Sequence, residues 1–107
     1  MLSTKERDLL HICKIAVNKL EPSAEIILYG SRARGEASAD SDYDLLIITE
    51  KDATLERENR FREAIFPVEL DTGRVLTVIL ISRKEWESPL FNAMPFYKNI
   101  KKDGILI

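Results

Sequence analysis

The spacing of apolar positions changes several times along the chain, and each change marks an element. Leu9, Ile12, Cys13, Ala16, Val17 and Leu20 recur at three- and four-residue steps, the stripe of an amphipathic helix. Ser3-Thr4-Lys5-Glu6 ahead of it has the spacing of a capping box, and Glu21-Pro22 ends it. Glu25–Tyr29 and Tyr43–Thr49 are short, mostly apolar runs that read as buried strands, and Arg74–Ile81 reads as a third. Between the last two, Leu55, Phe61, Ile65, Val68 and Leu70 are loosely placed for one helix face. Pro67 is expected to kink or shorten that helix and Gly73 to stop it. Ser82-Arg83-Lys84-Glu85 is a second capping box, opening a short helix with Trp86, and the tail from Phe96 to Asp103 predicts one more short helix stopped by Gly104. This α-β-β-α-β-α order predicts an α+β fold, a small mixed sheet packed by helices.

Composition narrows the function. A chain of 107 residues makes one domain, residues 1–107, with a single modest core. Sixteen Lys+Arg stand against eighteen Asp+Glu, a net charge of -2, so no broad basic face is expected for duplex DNA or anionic lipid, and no stable nucleic-acid binding. Cys13 is the only cysteine, which excludes an internal disulfide and a multi-thiolate zinc site. It lies on the apolar stripe of the first helix and reads as a small core residue. His11, the only histidine, falls on the polar side of that helix, which argues against a catalytic triad or a two-histidine metal site. No apolar run is long enough to span a bilayer, and the first residues lack the apolar stretch of a signal peptide. The expected address is cytoplasmic.

The chemistry concentrates between Gly30 and Asp44. Asp42 and Asp44, two apart at the start of a strand, project to one face while Tyr43 projects to the other. Adjacent carboxylates repel unless a cation lies between them, and oxygen ligands suit Mg²⁺. Gly30 directly after the first strand permits a close approach of a phosphate, and Ser31 offers a hydroxyl and backbone amides for it. Arg32 and Arg34 add positive charge. A β-branched side chain at Gly30 is then expected to exclude a phosphate while leaving the carboxylates in place. Together these groups are equipped for metal-assisted phosphoryl or nucleotidyl transfer.

Gly30-Ser31, ten intervening residues and Asp42-x-Asp44 resemble the signature of the DNA polymerase β-like nucleotidyltransferase superfamily. The Gly-Ser-Arg-Ala-Arg-Gly run is similar to its minimal branch, which includes antitoxins that pair with HEPN-domain toxins. The resemblance is sharp over residues 25–48. It implies a core like the polymerase β palm and transfer of a nucleoside monophosphate from a nucleoside triphosphate, ATP first among them, to a hydroxyl. It also implies Asp42 and Asp44 as catalytic Mg²⁺ ligands, Gly30, Ser31 and Arg34 as nucleotide-binding residues, and a HEPN-type protein as partner and acceptor.

There is one departure. Active members of that superfamily usually carry a third carboxylate on the next strand. Here the strand Val75–Ile81 has no acid, and Thr77 or Ile79 is expected on the corresponding face. Glu69 and Asp71 lie upstream as alternatives for the third ligand. The acid-free strand favours a rival reading, a nucleotidyltransferase-fold module with lapsed chemistry that acts by binding its partner. A Mg²⁺-dependent phosphohydrolase is a third. Trp86, Phe91, Phe96 and Tyr97 read first as core or partner packing rather than a base-stacking surface, and Lys98, Lys101 and Lys102 as a solvated helix face.

Overall fold

The computed structural model describes residues 2–107. Ser3 caps the first helix, α1 (Thr4–Leu20): its hydroxyl accepts from the Glu6 amide while the Glu6 carboxylate accepts from the Ser3 amide, which completes the predicted capping box. The elements that follow are β1 (Glu25–Tyr29), α2 (Ser31–Arg34), β2 (Tyr43–Thr49), α3 (Leu55–Thr72), β3 (Leu76–Ser82), α4 (Arg83–Trp86), α5 (Pro89–Asn92), α6 (Pro95–Asp103) and β4 (Ile105–Leu106). The four strands form one mixed sheet in the order β3-β2-β1-β4, with β2 and β3 parallel and the other two pairs antiparallel. This is the small α+β architecture that the pattern predicts.

Because side chains alternate along a strand, the sheet has two apolar faces. Ile26, Leu28, Leu45, Ile47, Leu76, Val78 and Leu80 pack against Leu9, Leu10, Cys13 and Val17 of α1 and against Phe61, Ile65 and Val68 of α3. On the other face Leu46, Ile48 and Ile81 pack under Trp86, Phe91 and Ile100 of the short helices. Trp86, Phe91, Phe96 and Tyr97 thus form core, as their packing reading predicts. Burial pushes the Cys13 thiol up to about 11, with the nearby Glu69 charge adding to the effect, so it is an unreactive core residue.

Four details depart from the sequence pattern. The α1 stripe is rotated: Leu10 is buried, whereas Ile12 and Leu20 are about half exposed. Pro67 neither breaks nor shortens α3, because it sits on the solvent side. There the Glu63 carbonyl that loses its amide partner can turn to water. The tail holds two helices, each with proline in its first turn, and a two-residue strand, β4, that pairs with β1. Finally, β3 begins at Leu76 rather than Arg74.

The outer edge of β3 is closed by side chains of α3. Glu69 and Glu58 accept from the Leu76 and Leu80 amides at 3.1 and 2.9 Å, and Arg62 donates to the Val78 carbonyl at 3.1 Å. These bonds occupy the edge against a further strand. At the far end of β2, the buried Glu21 carboxylate accepts from Thr49 at 2.6 Å, from the Glu50 amide at 3.0 Å and from Arg57. Burial alone would raise the Glu21 carboxyl, but these donors outweigh it and hold it below the ordinary value. With a folded value below the unfolded one, ionised Glu21 stabilises the protein above the unfolded pKa, and the contribution is lost as pH falls through the folded one. Glu21→Gln is therefore expected to cost about 3 kcal/mol in urea unfolding at pH 7, and the gap to the parent should narrow in acid.

Candidate active site

The sheet register brings three side chains into one row. Tyr29 of β1 lies opposite Asp44 of β2, and Asp44 lies opposite Thr77 of β3. Thr77 donates from its hydroxyl to Asp44 Oδ1 at 2.7 Å. The other oxygen, Oδ2, faces the backbone of Gly30, where an added Cβ would overlap it. One oxygen of Asp44 is therefore held by a hydroxyl, and the other occupies the space that a side chain at position 30 would need. Asp42 lies two residues upstream, exposed, on the approach to β2. Between them Tyr43 is buried on the opposite face, as alternation requires.

Gly30 has φ 78° and ψ −159°, a region that essentially only glycine occupies. This corrects the expectation that a side chain here would spare the carboxylates: a Cβ would strike Asp44 itself. The chain then turns into α2, where the Ala33 and Arg34 amides return to the Gly30 carbonyl at 3.1 and 3.2 Å. Ser31 opens that turn, half-buried, beside the glycine.

The two arginines of this turn part company. Arg32 is a clamp rather than a ligand for phosphate. Its guanidinium donates to the Ser41 and Ala39 carbonyls and to Glu6, and it stacks 4.2 Å from the Tyr43 ring centroid. It thereby ties the loop before Asp42 to α1. Arg34 is exposed and bound to Glu36 at 2.8 Å. That hydrogen bond raises its pKa, with the charges of Glu36, Asp103 and Asp44 adding to the effect.

The strand position expected to carry a third acid is Thr77, as the register shows. Ile79, two residues on, pairs with Leu46 and has 39% of its surface exposed. Glu69 does not substitute, because its carboxylate holds the Leu76 amide at the outer edge of β3. Asp71 is exposed near the end of α3. Among the described residues, no group of three or more His, Cys, Asp or Glu side chains could hold a metal ion. Two carboxylates nonetheless fit one Mg²⁺, which takes one or two protein carboxylates and completes its octahedron with water and substrate phosphates.

Thr77→Asp would set a carboxylate against Asp44. Repulsion in the metal-free protein is expected to lower the melting temperature by about 5 °C, and millimolar Mg²⁺ should restore it. A melting curve insensitive to both the substitution and the ion would show that position 77 does not face the cation site.

A family model described as a nucleotidyltransferase domain matches residues 11–107. A solved crystal structure of a presumed nucleotidyltransferase is similar at 26% identity, covering 79% of this chain and 86% of that one, with a TM-score of 0.44. No curated protein matches the chain.

Proposed function

Since the chain belongs to the nucleotidyltransferase domain family, we propose that it moves a nucleoside monophosphate from ATP to a hydroxyl acceptor with the help of Mg²⁺. The acceptor hydroxyl attacks the α-phosphorus and gives up its proton to water, the bond from the α-phosphorus to the oxygen bridging it to the β-phosphate breaks, and pyrophosphate leaves. Asp42 and Asp44 would hold the ion, which neutralises phosphate charge when bound. Gly30 and Ser31 would take the β- and γ-phosphates, and Arg34 would stabilise the negative charge of the triphosphate. The observation that carries this reading is the packing of Gly30 against Asp44. The carboxylate occupies the space that a side chain at position 30 would need, which brings it directly beside the Gly30–Ser31 turn, so a phosphate held at that turn would lie next to the cation. In this reading the acceptor is a hydroxyl on a partner protein of the small helical HEPN type, and both partners work in the cytoplasm. Among the described residues, no helix is long and apolar enough to cross a membrane.

Labelled ATP tests the reaction class. Label from the α-phosphate should appear on the partner, and label from the γ-phosphate should not. Transfer of γ-label, or release of inorganic phosphate alone, would refute nucleotidyl transfer. A second reading is favoured by Thr77, which stands where a third acid would complete the site. In it the domain binds nucleotide and partner without transferring label. Stable partner binding with no α-label on either chain is the result that would select it.

A further inference from the structure

We propose that the cleft between the Gly30–Arg34 turn and α6 binds the nucleoside part of the nucleotide, an inference that rests on the phosphate site proposed above. The cleft has a volume of about 220 Å³ and is lined by Tyr29, Gly30, Arg34, Phe96, Asn99 and Asp103, among others. Gly30 belongs both to this cleft and to the wall of the Asp44 carboxylate. A ligand whose phosphates lie at the glycine therefore has this cleft immediately beside it. The larger grooves along α1 do not include Gly30.

The lining has the chemistry of a nucleoside site. Tyr29 and Phe96 meet edge to face, with ring centroids 5.4 Å apart, and give one apolar aromatic wall. Asn99 and Asp103 are four residues apart on α6 and so share a helix face. A carboxamide both donates and accepts, which matches the edge of adenine, and a carboxylate accepts from ribose hydroxyls or an exocyclic amine. Asp103 and Arg34 both line the cleft, so it offers one acceptor and one cation to a ligand. Apolar walls with a few convergent polar groups are what small-ligand sites share, and this volume suits a ring the size of a nucleobase.

Calorimetry in Mg²⁺ with ATP and with inorganic tripolyphosphate, which lacks a nucleoside, tests the assignment. The parent protein is expected to bind ATP at least tenfold more tightly than tripolyphosphate. Asn99→Ala, which changes no charge at an exposed position, should reduce that preference at least threefold while changing tripolyphosphate affinity less than twofold. Adding Asp103→Asn should remove the rest, read as the ratio of the two affinities, because losing a negative charge beside Arg34 favours both polyanions alike. Equal affinity of the parent for the two compounds, or a preference that survives the substitutions, would overturn the nucleoside assignment and leave the phosphate site standing. Failure of both compounds to bind would overturn the phosphate site and this inference together.

Discussion

Asp42→Asn/Asp44→Asn is expected to weaken Mg²⁺-dependent ATP binding at least 100-fold while the protein remains folded. In the proposed reading the two aspartates are the carboxylates that hold the cation, and an amide neither carries charge nor competes with water for Mg²⁺. The fold should survive because neither residue anchors the core: Asp42 is exposed, and at position 44 an amide oxygen can still accept from Thr77. Removing two adjacent negative charges also relieves their repulsion in the absence of metal, so the melting temperature should hold or rise. Of the single variants, Asp44→Asn should cost more, because its carboxylate is half-buried and held by Thr77. Calorimetry with and without Mg²⁺, paired with thermal melts, separates the outcomes. Unchanged ATP affinity with a melting temperature lowered by several degrees would mean that the carboxylates serve only the loop that carries them.

The strands were legible because their signals are local. Glu25–Tyr29 and Tyr43–Thr49 are bounded by turn residues, none of their residues is fully exposed and the second is buried almost throughout, so a short apolar run sufficed to find both ends. Caps worked for the same reason. Ser3 and Ser82 each accept from an amide three residues on, a geometry contained within a few residues of sequence, although only at Ser3 does the glutamate return the bond that completes the box. What failed were features decided by partners distant in the chain. Leu10 replaces Ile12 in the core because the sheet and α3 choose which side of α1 to cover. Ile105-Leu106 becomes a strand only because β1 has an open edge for it. Two residues carry no periodic signal of their own.

The proposed site divides along the same line. Gly30, Ser31, Asp42 and Asp44 are candidates from spacing alone, because strand alternation and a glycine after a strand are local facts. Arg32 could not. Its charge looked available, but the Tyr43 ring and the carbonyls of Ala39 and Ser41 enclose it, so it positions the loop instead. Thr77 was one of two candidates on β3, and only the parallel register with β2 selects it. Asn99 and Asp103, far from the motif in sequence, gave no signal until α6 was seen lying beside the Gly30 turn.

Gly30→Val is expected to damage the fold and the site together, a broader loss than blocking a phosphate. The backbone conformation, φ 78° and ψ −159°, lies where a β-branched residue is strained by roughly 1–3 kcal/mol before any contact is counted. The new Cβ would also overlap Asp44 Oδ2, and neither group has an easy retreat. The Gly30 carbonyl is held by the Ala33 and Arg34 amides, and Asp44 is held by Thr77. Either the turn shifts or the carboxylate leaves Thr77, so a total cost of about 3 kcal/mol or more is expected, with cation and triphosphate binding both lost. Gly30→Ala isolates the Cβ from the branch, since it keeps the collision and most of the backbone strain but adds no further atoms. If Gly30→Ala already loses Mg²⁺-dependent binding as fully as Gly30→Val, the Cβ itself, through strain and overlap with Asp44, is decisive and the branch adds nothing. A Gly30→Val protein that melts with the parent and still binds Mg²⁺ would show that Gly30 and Asp44 are not packed as described.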